Sequence, residues 1–159
     1  MNIEEVPVDA RGSLRPVLDE SFTGLYRWHA RRTLRSVAQV RKATRDGVLL
    51  GFTMSTMVRR DIGYIYYAAV TTSARAQGVG GALLDDALQR LRADGAQEFF
   101  ACARKKNKPA VRLLQSRNFV RTTFHEVALA KGFADTVRLW VRMVVAPGES
   151  VYVRWLRSG

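Results

Sequence analysis

The sequence predicts a three-layer α/β domain built on a mixed β-sheet. Three observations predict this class: helical patterns near the N-terminus, strand-like runs joined by short turns, and helices that alternate with strands farther on. With 159 residues and 47% apolar residues, the chain is long enough for one domain with a buried core. We therefore expect a single domain over residues 1–147, followed by an extra C-terminal strand or arm over residues 148–159.

The N-terminal half predicts a strand, two helices and a three-strand meander. The first strand belongs at an edge, because Pro7 cannot donate to a ladder. Arg45-Asp46-Gly47 is typical of a hairpin turn, since Asp-Gly readily supplies positive φ. The third meander strand is apolar on both faces, which indicates a central position in the sheet. The predicted elements are a strand at 3–8, helices within 9–36 broken near 21–24, and strands at 37–43, 48–58 and 64–71.

The C-terminal half predicts helices alternating with strands. A helix starts near Val79 and Gly95 is placed to end it. Pro109 suits the first turn of the next helix. The predicted elements are helices at 79–95 and 108–116, strands at 97–103, 119–129 and 136–145, and a last edge strand or arm at 151–156.

Charge is the unusual bulk property of this chain. Lys and Arg number 26 against 14 Asp and Glu, a net charge of +12. This excess of positive charge either keeps the protein surface soluble or serves to bind an anionic partner such as a nucleotide cofactor, RNA or an acidic substrate. One cysteine excludes an intramolecular disulfide, and His29 and His125 are too far apart in sequence for a metal motif. Since no signal segment or membrane span is evident, we expect a cytoplasmic protein without metal or membrane partners.

A glycine-rich turn, Arg75-Ala76-Gln77-Gly78-Val79-Gly80, lies between an apolar strand and an amphipathic helix. Such a turn directs backbone N–H groups at one point, at the positive end of a helix dipole, and this arrangement binds phosphate. The pattern is neither a Walker loop nor a dinucleotide fingerprint, since Leu83 stands where the third glycine would be.

Two segments together resemble the GNAT superfamily of acyl-CoA-dependent N-acyltransferases. Val70 to Gly80, followed by Ala82-Leu83-Leu84, is similar to the family's [RQ]-x-x-G-x-[GA] motif after the fourth strand. Asn107 to Phe119 is similar to the family's N-x-x-A-x-x-L-Y-x-x-x-G-F segment. The order of the two motifs, and the distance of one long helix plus one strand between them, also match the family. The resemblance implies a mostly antiparallel sheet of about seven strands, helices on both faces, and a splay between strands 4 and 5 that admits the pantetheine arm.

The resemblance also implies acetyl-CoA as the co-substrate and assigns residues to it. Backbone amides of the glycine loop would hold the pyrophosphate, Arg75 would line the same site, and Asn107 would bond the arm. Val70 and Thr72 would pair with the arm through their backbone. Arg112 and the basic run 104–106 would contact the 3′-phosphate end. The cofactor-binding residues so expected are Val70, Thr72, Arg75, Ala76, Gln77, Gly78, Val79, Gly80, Gly81, Asn107 and Arg112.

The catalytic residues are less evident from the sequence. Leu114 stands where the family commonly has a tyrosine that protonates the departing thiolate. Tyr66, Tyr67 or a water could substitute for that acid. The candidate bases are Glu126 and His125, placed on a sixth strand, and Asp61. We interpret Cys102 as a small buried hydrophobe rather than a nucleophile.

The sequence therefore predicts an N-acetyltransferase that passes an acetyl group to a primary amine by direct attack on the thioester. A non-catalytic acyl-CoA-binding or regulatory module and a basic RNA- or ribosome-associated protein stay open as alternatives. Trp28, His29, Arg31 and Arg32 suggest an anionic acceptor. The apolar segment 151–156 suggests a homodimer, because a bare edge strand recruits a partner.

Overall fold

The computed structural model describes residues 1–156. Within them, seven strands form one mixed sheet in the order β1-β2-β3-β4-β5-β7-β6, which confirms the predicted fold class. The strands are β1 (Asn2–Glu5), β2 (Gln39–Arg45), β3 (Val48–Arg59), β4 (Ile62–Val70), β5 (Glu98–Arg104), β6 (Val120–Thr122) and β7 (Glu149–Trp155). The α-helices are α1 (Arg15–Ser21), α2 (Gly24–Ser36), α3 (Val79–Ala93), α4 (Lys108–Gln115), α5 (Phe124–Lys131) and α6 (Phe133–Met143), and 3-10 turns span Val8–Leu14 and Thr72–Ala74.

The described residues form two compact units, the first from residues 1–56 and 65–93 and the second from residues 57–64 and 94–156. In the first unit, β1, β2 and β3 pair antiparallel, with β1 at the edge as predicted. Asp46 and Gly47 have φ of 52° and 79°, so the Asp-Gly signal does form the hairpin between β2 and β3. The division of the chain at residue 147 stays a prediction.

Two buried arginines hold the first unit together, and the sequence did not single them out. Arg11, 5% exposed, donates to the backbone oxygens of Val6, Leu34 and Val37. Leu34 lies in the last turn of α2 and Val37 just follows it, so this guanidinium satisfies carbonyls that the helix leaves unbonded. Burial lowers the pKa of Arg11 from its ordinary value.

The second arginine, Arg41 on β2, clamps α3 to the sheet of the first unit. Its guanidinium donates two hydrogen bonds to the Asp86 carboxylate, at 2.7 and 3.1 Å, and a third to the Ile3 backbone oxygen. Arg41 is 8% exposed, so the pair is largely withdrawn from water. A bidentate arginine–carboxylate pair also fixes orientation, and it therefore fixes how the middle of α3 lies against β2.

In the second unit, β7 lies between β5 and β6 and pairs antiparallel with both. The expectation of an edge strand or arm at 151–156 is wrong, because both sides of β7 are already bonded. The inference of a homodimer through this segment loses its premise with it. Residues 157–159 of that predicted arm lie outside the described residues.

Two predicted strands, 119–129 and 136–145, are wrong: apart from the three-residue β6, these segments form α5 and α6. The backbone N–H of Glu126 donates to the Thr123 hydroxyl, and the Thr123 N–H donates to the Glu126 carboxylate at 2.7 Å. This capping box begins α5 and overrides the strand propensity of the Val- and Thr-rich sequence around it. In α6, Thr136, Leu139 and Met143 are buried at helical spacing.

Helix α6 also carries an exposed apolar stripe, which we define as Phe133, Val137, Val141 and Val144, the last immediately after the helix. Phe133 and Val141 are each 70% exposed, and the other two are exposed to lesser degrees. The positions are spaced by four, four and three residues, so they follow one face of the helix. The helix is thus apolar toward its own unit and toward solvent.

No helix within residues 1–156 is long and apolar enough to cross a bilayer.

Candidate functional site

The glycine loop of the first unit connects β4 to α3 and has the backbone of an anion cradle. Ala76 and Gly78 adopt positive φ, 60° and 79°, which turns the chain sharply before the helix. The first backbone bond of α3 runs from Ala82 N–H to Gly78 O at 3.0 Å. The N–H groups of residues 79–81 therefore precede the helical ladder and stand at the positive end of its dipole. A Cβ on Gly78 would meet no described atom within 4 Å, so this side of the loop is open to a ligand.

Gln77 holds the loop in this shape. Its side-chain nitrogen donates to the Ser73 backbone oxygen at 2.8 Å, and its side-chain oxygen accepts from Arg45 at 3.2 Å. Below the loop, Ala74 and Val79 are buried in an apolar cluster with Leu50 and Leu83. The cradle is therefore fixed by its own packing and hydrogen bonds.

Gly51 of β3 permits the close packing behind this loop. A Cβ built on it would lie 2.4 Å from the Ala69 backbone oxygen and 3.1 Å from Val70 Cα. Ala69 and Val70 end β4, where the loop begins. Any larger residue at position 51 would push against the backbone that leads into the cradle.

Glu20, at the end of α1, ties the first helix to the start of this loop. Its carboxylate accepts from the Thr72 N–H at 3.1 Å and from the Thr72 hydroxyl. These hydrogen bonds lower the pKa of Glu20. Thr72 was expected to pair with the pantetheine arm through its backbone, and in this structure Glu20 already accepts from its N–H.

A histidine–tyrosine pair lies between α2 and β4 in the same unit. His29 Nδ1 is 2.6 Å from the Tyr67 hydroxyl oxygen, and the Thr33 hydroxyl lies 3.4 Å from the same nitrogen. Phe22 packs edge-on against the Tyr67 ring, with centroids 5.0 Å apart. Tyr66 is half-buried against the same core, and burial raises its pKa.

The remaining residues proposed for the acceptor side lie on α2. Arg31 donates to Asp19 of α1 at 2.9 Å, and the Arg32 guanidinium lies 5.8 Å from the centre of the Trp28 ring. Trp28 is 61% exposed. Arg32 and Trp28 thus form an exposed cationic and aromatic surface, whereas Arg31 has a carboxylate partner.

In the second unit, Asn107 begins α4 as its N-cap. Its side-chain oxygen accepts from the Ala110 N–H at 3.3 Å, which leaves the amide nitrogen as the group that would donate to a ligand. Arg112 and the basic run 104–106 are exposed.

Leu114 is 6% exposed and packs in the core, so no hydroxyl stands at that position. Asn118 has φ of 61°, the left-handed conformation that ends the helix, as expected for a residue replacing glycine.

Cys102 of β5 is partly buried. Burial raises the pKa of its thiol to about 12, and a hydrogen bond with Tyr64 offsets only part of that effect. A thiol in this state is not a nucleophile near neutral pH.

The placement of Glu126 and His125 on a strand is wrong, because both lie in the first turn of α5. The Glu126 carboxylate accepts from the N–H and hydroxyl of Thr123 and from the Thr122 hydroxyl, and the Thr123 hydrogen bonds lower its pKa. A carboxylate so engaged caps the helix and is a poor proton acceptor. The Asp61 carboxylate lies 3.7 Å from Arg59, and its backbone oxygen accepts from Gln97 and Glu98.

Sequence reasoning missed Glu20, Arg45 and the pairing of His29 with Tyr67. No local pattern reports these contacts, which join residues 32 to 52 positions apart. The capping box of α5, in contrast, is written in the sequence as Thr123-x-x-Glu126 and was open to detection.

Comparisons with known proteins identify the family of this chain. The model of the acetyltransferase (GNAT) family matches residues 5–119. A mycothiol acetyltransferase from Thermomonospora curvata is 35% identical over 79 residues, which are 50% of this chain and 27% of that protein. The chain therefore spans about a quarter of the length of that relative.

Solved structures show the same fold at low identity. An acetyltransferase from Bacillus subtilis in complex with CoA has a TM-score of 0.72 and 16% identity, and the match covers 98% of each chain. An IAA acetyltransferase from Bacillus cereus also has a TM-score of 0.72, with 14% identity over 98% of this chain and 99% of that one. The yncA protein of Salmonella typhimurium with acetyl-CoA has a TM-score of 0.67 and 16% identity. The match covers 100% of this chain and 95% of the yncA chain.

Proposed function

The chain belongs to the GNAT acetyltransferase family, and on this premise we propose that it transfers an acetyl group from acetyl-CoA to a primary amine. The observation that carries the proposal is the loop of residues 75–78 together with the start of α3. Its positive-φ turn, its N–H groups ahead of the helical ladder and its open outer side suit a pyrophosphate.

The residues proposed to hold acetyl-CoA divide by role. Backbone N–H groups of residues 77–81 bind the pyrophosphate, and the exposed Arg75 adds a guanidinium that suits phosphate oxygens. Val70 and Thr72 pair with the arm through their backbone, Asn107 bonds the arm, and Arg112 contacts the 3′-phosphate end of the co-substrate. Complexes of CoA or acetyl-CoA among the fold neighbours support the choice of co-substrate.

The reaction needs little acid catalysis at sulfur, because a thiol has a reference pKa of about 8.5 and thiolate leaves readily near neutral pH. The absence of a hydroxyl at Leu114 is therefore compatible with turnover. The same absence favours a second candidate function, a module that binds acyl-CoA without transferring the acyl group. The two functions differ in turnover and not in binding.

Calorimetry with acetyl-CoA, followed by thiol detection of CoA release across panels of amino acids, peptides and polyamines, tests the proposal. We expect binding, and release above the background of hydrolysis with at least one amine. Tight binding with no amine-dependent release would favour the non-catalytic module, and absence of binding would reject both.

Two glycine variants give the binding test a matched control. Gly78 and Gly148 both have positive φ, 79° and 85°, and both have open space where a Cβ would lie. Changing either to Ala should cost about 1 kcal/mol of stability, from backbone strain alone. Only Gly78→Ala should weaken acetyl-CoA binding, because only that methyl group enters the cradle; equal affinities of the two variants would contradict the assignment.

A further inference from the structure

The pair of His29 and Tyr67 suggests how the proposed acetyl transfer handles the proton of the acceptor amine, and this inference rests on that proposed function. We propose that Tyr67 is the group that takes the proton from the acceptor amine, and that His29 receives the Tyr67 proton in turn. The observation behind this proposal is the 2.6 Å contact between His29 Nδ1 and the Tyr67 hydroxyl oxygen.

The position of the pair fits the chemistry. Tyr67 precedes Val70 by three residues on β4, about 10 Å of strand at roughly 3.3 Å per residue. Val70 begins the segment proposed to border the acyl-bearing arm of the co-substrate. Tyr67 therefore lies on the same strand as that segment, and its side chain is half-buried rather than sealed in the core.

The surroundings hold the pair in one arrangement. Phe22 packs edge-on against Tyr67, and the two rings of the pair lie 6.0 Å apart at an angle of 56°. Thr33, one turn beyond His29 on α2, places its hydroxyl 3.4 Å from the same ring nitrogen. A proton path across a short hydrogen bond requires such fixed geometry.

Other charged groups near α2 are engaged elsewhere. Asp19 accepts from Arg31, Glu20 accepts from Thr72, and Arg11 donates to backbone carbonyls. The remaining ionisable groups on α2 and on the segments packed against it are Asp9, Arg15, Tyr26, Arg27, Arg32, Arg35 and Tyr66. None of these seven side chains ordinarily changes charge near neutral pH, whereas the imidazole of His29 does.

The proposed step balances as follows. The amine nitrogen bonds to the thioester carbonyl carbon, and its N–H proton moves to the Tyr67 oxygen while the Tyr67 proton moves to His29 Nδ1. The C–S bond then breaks, and its electron pair leaves on sulfur. The imidazolium returns its proton to the thiolate or to water, so the products are the amide and the free thiol.

Three variants test this role: Tyr67→Phe, His29→Gln and Tyr26→Phe. Tyr67→Phe should lower kcat for amine-dependent CoA release about 100-fold, the order expected for loss of a general base. Its affinity for acetyl-CoA should stay unchanged. The wild type should gain activity as pH rises through the range in which imidazole loses its proton. His29→Gln keeps an acceptor for the Tyr67 hydroxyl but does not titrate in that range, so its pH profile should be flat. Tyr26→Phe removes a hydroxyl from the same helix and should leave both rate and pH profile intact.

The outcomes separate this inference from the proposed function. Wild-type rates in Tyr67→Phe, or an unchanged pH profile in His29→Gln, would overturn the pair's role and leave acetyl transfer standing. Absence of CoA release from the wild type with every amine would reject acetyl transfer, and this inference with it. Melting temperatures of all three variants show whether any loss of rate comes from unfolding.

Discussion

The role of a single side chain in this protein depends more on its surroundings in the fold than on its residue type. Arg41 and Arg11 are buried with hydrogen bonds from their guanidinium groups to oxygen atoms, whereas Cys102 is a partly buried thiol whose pKa is raised by burial. Glu126 was a candidate base because it carries a carboxylate, but that carboxylate accepts hydrogen bonds at the N-terminus of α5. The sequence shows which groups could do chemistry, and the fold decides which of them are already in use.

The ion pair of Arg41 and Asp86 yields a stability prediction. Asp86→Ala should cost about 3 to 5 kcal/mol in urea unfolding, because it leaves a guanidinium buried without its counter-charge. The pair of Lys42 and Glu4, whose side chains are 30% and 48% exposed, is the control, and Glu4→Ala should cost less than about 1 kcal/mol. Similar losses from the two changes would show that burial of Arg41 is not what matters.

The raised pKa of Cys102, about 12, predicts an inert thiol. Folded protein should resist alkylation by iodoacetamide at neutral and mildly alkaline pH, since the thiolate is the reactive form. Protein unfolded in guanidinium should react fully, as mass spectrometry would show. Rapid labelling of the folded chain would mean that the thiol is more exposed to water than its position on β5 indicates.

At the scale of elements, the sequence predicted β2 to β5, the two N-terminal helices, α3 and α4 well. Their signals are local: an Asp-Gly pair at a hairpin, glycines at the start of a helix, and apolar residues that recur with the period of a helix or of a strand. The C-terminal helices were missed because Val, Thr and aromatic residues favour strands, whereas a capping box and tertiary burial of Leu139 and Met143 decide for helix. The position of β7 inside the sheet could not be predicted, because pairing between distant segments leaves no mark in either one.

Close packing of two strands in the first unit gives a prediction at this scale. Gly51→Ala should destabilise the protein by about 1 to 3 kcal/mol, since the new methyl group would meet the Ala69 backbone oxygen. It should also weaken acetyl-CoA binding, because the strand end that moves leads into the cradle. Gly12→Ala, where a Cβ meets nothing within 4 Å, serves as the control. A variant at position 51 as stable as the wild type would show that β3 and β4 can separate without cost.

For the whole molecule, net charge and exposed apolar surface act in opposite directions. A charge of +12 keeps copies apart, and the stripe on α6 favours contact between apolar surfaces. Moderate salt shortens the range of repulsion to about 10 Å or less. We therefore expect self-association to increase as salt is raised.

Sedimentation velocity at low and moderate salt would measure this effect. Val141→Lys, within the stripe, should abolish the salt-dependent increase, whereas Val48→Lys, at an isolated exposed valine on β3, should leave it intact. A sedimentation coefficient that is independent of salt in the wild type would contradict the expectation. A homodimer remains a prediction, now without the edge strand that first suggested it.

The hydrogen bonds between Glu20 and Thr72 give the first helix a share in ligand affinity. If the arm of the co-substrate bonds to the Thr72 N–H, it must displace a carboxylate from the same chain, so Glu20 acts as a tethered competitor. Apparent affinity then falls by the fraction of molecules in which the bond is closed. Linkage is reciprocal: whatever draws α1 away from the loop tightens binding there, and bound ligand frees α1 to the same extent.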